Sequence, residues 1–535
     1  MSNKEKPVEN YDYIVVGAGS SGCVVANRLS ENPSHRVLLL EAGGKDQNPW
    51  IHIPVGYFKT MHNPSTDWCY RTEPDPGISG RSLQWPRGKV LGGSSSLNGL
   101  LYVRGQPQDY DHWMKLGNHG WSYEDVLPYF KVSEDQQHGE SRFHGTGGPQ
   151  KVSDLRLRRP IAEKFIAAAV ECGIPYNPDC NGEIQEGVGY FQQTAYKGFR
   201  WSTAKGFLRP AMKRANLKLR TRAHVLRLQF TGKRASGIQY QHRGEIHTAQ
   251  AKSEIVLCAG SINSPQLLQC SGIGDPALLN SVGIEPVHSL IGVGQNLQDH
   301  LQIRLVYKTV DRTLNDELNH PLKMLGVGLQ YLLTRTGPMT LAASQVYIFT
   351  RSVPDLDRPD IQFHMQPLSA DKPGEGVHPF SAFTSSVCQL RPWSRGEVRI
   401  KSKDPLEYPE IHPKYLSDVR DCRVAVNAIK CTRRIASTPS LASSLDEEFI
   451  PGPQYQTDEE ILHAAREFSQ TIYHPVGTCK MGNDPLAVVD HELKVHGIDG
   501  LRVADASIMP TITSGNTNAP CIMIGEKAAS MILNS

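Results

Sequence analysis

Residues 13–22, YIVVGAGSSG, decide the fold of this chain. The first four form a short apolar run of the kind that becomes a buried parallel strand. Residues 23–29 then predict a helix, and residues 36–41 predict a second strand. The order strand, turn, helix, strand indicates a βαβ unit at the start of the chain.

The three glycines of this stretch have the spacing of a dinucleotide-binding fingerprint. Gly17 allows the tight turn, Gly19 lets the backbone approach a pyrophosphate, and Gly22 lets the helix pack against the strand. The N-terminus of the helix then faces the phosphates with its free N–H groups. The pattern predicts a bound dinucleotide but does not separate FAD from NAD.

Other residues around this unit complete the predicted site. Ser20 and Ser21 lie in the fingerprint turn and are further candidates for cofactor binding. Glu41, at the end of the second strand, is placed to bind ribose hydroxyl groups. A second glycine-rich stretch, residues 292–297, lacks the third glycine and predicts only a turn.

Strand-like runs return much later in the chain, so we expect the nucleotide-binding sheet to be assembled from separated segments. The stretches between them are richer in proline, aromatic residues and short alternating strands, which suit an antiparallel sheet that caps the cofactor. The runs predicted for the first sheet are 217–220, 225–230, 237–240, 254–259 and 501–504, followed by a helix at 521–533, and those for the second are 383–390 and 396–401.

Composition excludes several other classes of protein. Of the 535 residues, 39 % are hydrophobic and 21 % charged, which describes a soluble globular protein. A net charge of +3 gives no reason to expect a nucleic-acid partner. The 11 cysteines are scattered without a C-x-x-C pair, which predicts no metal site, no disulfide framework and a reducing compartment.

The sequence shows no export signal and no apolar run long enough to span a membrane. The most apolar patch, residues 322–333, predicts a helix that covers a substrate cavity, although contact with a membrane surface stays open. We therefore expect a cytoplasmic protein, with peripheral association with the inner membrane as an alternative. The oligomeric state does not follow from the sequence.

Three further stretches resemble the glucose-methanol-choline (GMC) oxidoreductase family. The first is 88–98, continuing to Tyr102, Gly105 and Asp111, and the second is 260–274. The third is C-terminal and combines 473–479, 503–507 and 515–520. The resemblance covers about residues 11–533, and the run 478–482 is similar to that of bacterial dehydrogenases.

The resemblance implies a two-domain α/β (α+β) fold. A Rossmann-like FAD-binding domain is expected beside a substrate domain of antiparallel sheet and helices. The implied FAD-binding segments are 8–155, 215–305 and 485–535, and the implied substrate-domain segments are 156–214 and 306–484.

The resemblance also implies the reaction. In this family the flavin accepts a hydride from the carbinol carbon of an alcohol, and a neutral imidazole is suited to take the hydroxyl proton. The match places the base at His474 and its partner, which stabilises the developing charge on oxygen, at Asn516. Asn518 is a weaker alternative to Asn516.

By the same resemblance, FAD is held by several groups of residues and is not covalently attached, because Leu97 stands where some relatives have the attaching histidine. The Gly92-Gly93-Ser94 turn offers backbone N–H groups to the pyrophosphate. The remaining implied contacts are Asn98 with the isoalloxazine, Val225 with the adenine, Asp505 with the ribityl or phosphate region, and Asn516 and Thr517.

Substrate choice is predicted from one position. Gln345 aligns with a glutamate that holds the cation in choline-oxidising relatives, and a neutral amide cannot balance a buried cation. With Tyr473 as a second substrate residue, the expected substrate is an uncharged primary alcohol: aliphatic, aromatic, or the end of a glycol or polyether. The alternatives are a choline dehydrogenase-like enzyme, a flavin-containing hydroxynitrile lyase and an inactive FAD-binding module. The electron acceptor is O2 or quinone-like.

Overall fold

The computed structural model describes residues 8–371 and 376–535. Fourteen strands form two seven-stranded sheets. In chain order these strands are β1 Glu9–Val16, β2 Val37–Glu41, β3 Gly187–Tyr190, β4 Leu217–Thr221, β5 Ala223–Thr231, β6 Arg234–His242, β7 Glu245–Leu257, β8 Leu301–Thr309, β9 Val346–Thr350, β10 Ile361–Gln366, β11 Ala382–Gln389, β12 Leu445–Ile450, β13 Ser469–Thr471 and β14 Leu501–Val503.

The longer helices surround these sheets. They are α1 Ser20–Leu29, α2 Pro107–Lys115, α3 Tyr123–Ser133, α4 Pro160–Glu171, α5 Gly260–Cys270, α6 Pro321–Thr334, α7 Val419–Ala436, α8 Asp458–Phe468 and α9 Asn518–Leu533. The remaining strands pair in short sheets: Tyr70–Arg71 with Gln84–Trp85, Glu134–Gln136 with Gln150–Asp154 and Gln192–Gln193, Ala195–Tyr196 with Phe199–Arg200, Ile273–Gly274 with His288–Ser289, and Glu397–Arg399 with Glu410–His412.

The first sheet has a parallel centre. Its strand order is β4-β2-β1-β7-β6-β5, with β14 paired to β7. Strands β4, β2, β1, β7 and β14 are parallel to one another, whereas β5 and β6 are antiparallel additions. Because β1 and β2 are buried almost throughout, they read as apolar runs without alternation. The carboxyl ends of the parallel strands meet at one edge, where ligands of such sheets bind.

The second sheet is antiparallel and has two chemically different faces. Its order is β12-β8-β11-β10-β9-β3, with β13 paired to β8. One face supplies apolar side chains such as Leu305, Phe363 and Val387 to a core shared with α4 and α7. The other face presents polar side chains toward the carboxyl-end edge of the first sheet: Gln302, Arg304, His364, Gln366 and Ser386.

The predicted elements are confirmed with shifted ends and one error. Helix α1 begins at Ser20 rather than residue 23, and α9 begins at Asn518 rather than residue 521. Residues 292–297 form a turn, as predicted. The strand predicted at 396–401 was expected in the large antiparallel sheet, and this placement was wrong. Only Glu397–Arg399 is a strand, and it pairs with Glu410–His412 outside that sheet. The predicted domain limits remain predictions. Strand β8 crosses the limit that was predicted at residue 305.

Helix α6 forms as expected but does not cover the cavity. Tyr331 is its one buried residue, and its hydroxyl group donates to the Gly198 carbonyl. None of the residues in this helix lines the cavity described below. Leu322, Leu325 and Leu333 are each more than 70 % exposed, so contact with a membrane surface stays a prediction. Within the described residues, no helix is both long and apolar enough to cross a bilayer.

Candidate active site

One continuous cavity lies between the carboxyl-end edge of the first sheet and the polar face of the second. Most of the residues predicted for the site line it. Those that do are Gly17, Gly19, Ser20, Ser21, Glu41, Gly93, Ser94, Asn98, Val225, Tyr473, His474, Asp505, Asn516 and Thr517. Three predicted residues do not line it: Gly22, Gly92 and Gln345.

Gly22 and Gly92 support the cavity wall from behind. A Cβ atom at Gly22 would lie 1.9 Å from the Gly17 carbonyl oxygen, so only glycine lets α1 approach the fingerprint turn this closely. The Gly92 N–H donates to the Ala18 carbonyl at 2.8 Å and joins the second glycine-rich turn to the first. Both residues therefore shape the cofactor site without facing it.

Two helix N-termini face the nucleotide end of the cavity. Neither α1 nor α9 has a side-chain cap on its first N–H groups. The two termini are joined by a hydrogen bond from Ser20 Oγ to Asn518 Oδ1 at 2.8 Å. Free N–H groups and the positive ends of two helix dipoles fit the pyrophosphate of a dinucleotide.

Glu41 lies at the same end with its carboxylate largely satisfied by the protein. Its oxygens accept from Ala18 N at 2.9 Å and Gly43 N at 2.7 Å. Burial raises the pKa of Glu41 to about 7, although these hydrogen bonds act in the opposite direction. The carboxylate still lines the cavity, as a ribose-binding residue must.

Asp505 and Asn98 hold other parts of the cavity wall. The Asp505 carboxylate accepts from Gly260 N and Ser264 Oγ, which fixes the start of α5. Asn98 Oδ1 accepts from Arg200 Nη1 at 2.7 Å. Burial lowers the pKa of Arg200 to about 9, and this buried cation stands beside the predicted flavin contact. Leu97 lines the cavity and offers no nucleophile for a covalent bond, so non-covalent FAD stays a prediction.

His474 and Asn516 meet at the centre of the cavity. Asn516 Nδ2 lies 3.1 Å from His474 Nε2, and Asn516 Oδ1 is buried without a hydrogen-bond partner. Gly515 has a φ of 153°, and a Cβ atom there would lie 2.4 Å from Val103 Cγ1. Glycine is therefore required at residue 515 to bring Asn516 to His474.

A third residue, His300, was not predicted from the sequence and fixes the proton on His474. His300 Nε2 lies 2.9 Å from the Leu390 carbonyl oxygen, which can only accept, so Nε2 carries the proton. His300 Nδ1 is then an acceptor, and it lies 3.0 Å from His474 Nδ1. His474 therefore carries its proton on Nδ1, and the lone pair of its Nε2 accepts from Asn516 Nδ2.

Both imidazoles are held neutral. Burial lowers the pKa of His300 to about 4. Burial, followed by the proximity of His300, His364 and Arg87, lowers the pKa of His474 well below its ordinary value. A neutral His474 with an unprotonated Nε2 can accept a proton from a bound hydroxyl group.

The residues before His300 position the His474 loop. Asp299 is buried and accepts from His474 N at 2.7 Å and Thr471 Oγ1 at 2.6 Å. These bonds, with one from Arg87 Nη2 to the Tyr473 carbonyl, hold Tyr473 at a φ of 68°. The signal in the sequence is the polar run Gln298-Asp299-His300 directly before the apolar strand β8.

Gln345 does not lie where the sequence analysis placed it, in contact with the substrate. Its side chain is fully buried, and Nε2 donates to the Leu157 carbonyl at 2.8 Å. Ala343 and Ser344 line the cavity in its place, because the backbone at Gln345 already pairs with Met365 in the sheet. The prediction from Gln345 about substrate charge therefore loses its structural basis.

The charge of the substrate end comes from other residues. Arg87 and Arg304 line it together with Tyr57 and Tyr473. Among the described residues, the acidic side chains that line the cavity are Glu41 and Asp505, both placed with the nucleotide-end loops. The substrate end is therefore positively charged.

Comparison with known proteins agrees with this geometry. Two family models described as GMC oxidoreductase match residues 11–302 and 392–525. An alcohol dehydrogenase (acceptor) from Pseudomonas putida is 43 % identical over 528 residues, 98 % of this chain and 96 % of that protein. Human mitochondrial choline dehydrogenase is 43 % identical over 536 residues, 98 % and 90 % respectively. The crystal structure of pyridoxine 4-oxidase from Mesorbium loti is 32 % identical with a TM-score of 0.89, covering 98 % of this chain and 100 % of that one.

Proposed function

The chain belongs to the GMC oxidoreductase family and is an FAD-dependent oxidoreductase of the alcohol and choline dehydrogenase type. From this premise we propose that it oxidises a primary alcohol to the aldehyde. His474 is the proposed base, and Asn516 is the proposed partner of the alcohol oxygen.

The observation that carries this proposal is the His300–His474–Asn516 chain. Because the His474 proton lies on Nδ1, the lone pair of Nε2 can take the hydroxyl proton of an alcohol once Asn516 Nδ2 turns from Nε2 to the alcohol oxygen. The Asn516 amide can then donate Nδ2–H to the oxygen as negative charge develops on it. FAD, when bound, supplies the hydride acceptor.

The residues at the nucleotide end support FAD as that cofactor. The two uncapped helix termini suit its pyrophosphate, and Glu41 suits a ribose. The buried Asn516 Oδ1 has no partner within the protein, which leaves it available to a bound molecule.

The charges at the substrate end support a substrate without a positive charge. The trimethylammonium group of choline would be desolvated next to Arg87 and Arg304, with no carboxylate described beside it. Juxtaposed like charges cost several kcal/mol. The proposed substrate is therefore a primary alcohol without a positive charge rather than choline, and the reason lies in the two arginines and not in Gln345.

Anaerobic mixing of the FAD-loaded enzyme with alcohols tests this proposal. A straight-chain neutral alcohol such as hexanol should bleach the flavin absorbance. Choline should do so with a kcat/KM lower by at least ~10², since each factor of ten corresponds to about 1.4 kcal/mol. Comparable values for choline and hexanol would contradict the charge argument, and no bleaching by any alcohol would contradict the oxidation itself. Admitting air or a quinone-like acceptor afterwards shows which one reoxidises the enzyme.

A further inference from the structure

A row of three polar side chains lies at the substrate end, outside the His474–Asn516 pair. Arg304 on β8, Ser386 on β11 and His364 on β10 are directly opposite one another in the sheet. Directly opposite residues share a face, and all three side chains line the cavity. This row is called the polar row below.

Two members of the polar row have buried polar atoms without a partner. Ser386 is 1 % exposed and His364 is 2 % exposed. Ser386 Oγ and His364 Nε2 make no hydrogen bond with any described residue. Leaving a buried polar atom unpaired costs about 1–3 kcal/mol, so such atoms indicate a place for a polar ligand.

Arg304, the third member, forms no salt bridge with a described residue, although the nearby Asp371 carboxylate acts to raise its pKa against the effect of burial. Nη1 donates to the Asp371 carbonyl and Nη2 to the Ala370 carbonyl, both at 3.0 Å. These two bonds use two of the five N–H donors of a guanidinium group. Among the described residues no carboxylate forms a salt bridge with Arg304, whereas Lys308 on the same strand is paired with Glu447.

The rows before and after the polar row have no cationic side chain. At the same strand positions one row along, Val306 faces Thr384, and Thr384 Oγ1 donates to the Leu368 carbonyl. On the other side, Gln302 donates to the Thr471 carbonyl, whereas the buried amide group of Gln362 in the same row has no partner among the described residues. The guanidinium group of Arg304 and the unpaired Ser386 hydroxyl group therefore coincide at one point of the sheet.

We propose that the polar row binds a carboxylate at the far end of the substrate, so that the enzyme prefers ω-hydroxy acids among primary alcohols. The guanidinium group of Arg304 pairs with the carboxylate, and the Ser386 hydroxyl group donates to it. The inference rests on the proposed alcohol oxidation and narrows its substrate class.

The position of Arg304 sets a minimum length for such a substrate. Arg304 is four residues beyond His300, which corresponds to ~13 Å along an extended strand. Since His300 contacts His474, we expect a hydroxy acid that reaches both His474 and Arg304 to need several carbons between its two functional groups. Glycolate-sized acids should gain nothing from the polar row.

Three alcohols of one length test the proposal: ω-hydroxyhexanoate, hexanol and ω-aminohexanol. Anaerobic flavin reduction should give the highest kcat/KM for the acid and the lowest for the amine. Arg304→Gln should lower kcat/KM for the acid by about 30-fold, the worth of a charge-assisted hydrogen bond, and change that for hexanol by less than about threefold. Arg304→Lys should restore most of the acid preference.

A matched control is Lys308→Gln, which removes a cation from the same face of β8 outside the cavity. It should leave all three kcat/KM values unchanged. Ser386→Ala should lower kcat/KM for the acid by about fivefold, as for a single hydrogen bond.

A binding measurement separates recognition from chemistry. Hexanoate, which has no hydroxyl group to oxidise, should bind the holoenzyme in calorimetry and lose affinity in Arg304→Gln, while hexylamine should not bind. Equal losses for all three alcohols in Arg304→Gln would mean that Arg304 only anchors residues 370–371, and the proposal would be wrong. If no alcohol reduces the flavin while hexanoate still binds through Arg304, the proposed oxidation fails and the carboxylate subsite stands.

Discussion

The nucleotide end and the substrate end of the cavity are built in different ways. At the nucleotide end the cavity is lined by glycine-rich turns, with Gly17, Gly19 and Gly93, and by two uncapped helix N-termini whose backbone N–H groups are available to a ligand. At the substrate end they are side chains on a sheet face, such as Arg304 and Ser386. A backbone-built site demands glycine at fixed spacing and therefore leaves a pattern in the sequence. A site built from side chains on a sheet requires only that alternate residues of a strand face the ligand, and the side chains of every strand alternate in this way.

The largest expected effect comes from the residues where the two ends meet. His474→Ala should slow anaerobic flavin reduction by ~10²–10⁴, the usual worth of a positioned general base. Asn516→Ala should cost ~10–10³, as for a lost donor to a developing oxyanion. Both variants should keep FAD, because the helix termini and glycine turns that hold it are unchanged. The two losses should be less than additive, since both act on one transition state.

Stopped-flow absorbance measures these rates, with His463→Ala on the exposed face of α8 as the matched control. Because the pKa of His474 is held well below 6.5, the parent enzyme should show no loss of rate as the pH falls through that value. A His474→Ala enzyme within about threefold of the parent rate would place the base elsewhere.

The sequence predicted the nucleotide end in detail because its constraints are local. The glycine spacing, the strand before it and Glu41 lie within residues 9–41, and each has one physical reason to be there. The ends of helices were predicted less accurately. Helix α1 begins at Ser20 because the helical backbone starts directly after Gly19, within the fingerprint turn.

The substrate end could not be predicted in the same way. Gln345 was placed in the site from a short alignment, but a shift of one position along a strand moves a side chain to the other face of the sheet. The structure puts Ser344 at the cavity and Gln345 behind it. His300 and Arg304 carry no motif of their own, and their role depends on which strand lies beside β8.

A smaller effect is expected from His300, which acts through His474. His300→Leu removes the acceptor at Nδ1 and leaves the His474 Nδ1 proton without a partner in a buried site. An unpaired buried donor costs about 1–3 kcal/mol, so kcat should fall about 10- to 100-fold. KM and FAD content should change little, because His300 does not line the cavity.

His300→Asn is the conservative variant, since its amide oxygen can accept from His474 Nδ1. It should recover a rate within about fivefold of the parent, as expected when one neutral hydrogen bond replaces another. The pH profile is the decisive readout: His300→Leu should lose rate at a higher pH than the parent, because His300 is one of the groups that lower the pKa of His474. Equal losses in the leucine and asparagine variants would indicate a purely structural role.

The smallest expected effect concerns stability and lies away from the cavity, where α3 and its following strand approach the second sheet. His144 donates through Nδ1 to Glu134 at 3.0 Å and through Nε2 to Asp179 at 2.9 Å, while Arg104 pairs with Glu134 at 2.7 Å. Burial lowers the pKa of His144, but the hydrogen bonds to Asp179 and Glu134 outweigh it and raise the pKa from 6.5 to about 9. Since the folded value lies above the unfolded one, the stabilisation is fully present below pH 6.5 and is lost as the pH rises through about 9.

Discounted for solvent screening, this stabilisation is about 1–2 kcal/mol. The apparent Tm at a fixed scan rate should therefore decline between these two pH values in the parent. His144→Gln should lower Tm at neutral pH and remove most of that decline. The matched control is His138→Gln, because His138 also bonds a carboxylate, that of Asp154, but is exposed. If His144→Gln kept the slope of the parent, the two carboxylates would not be holding His144 charged, and its contact with Asp179 would not be the source of the pH dependence.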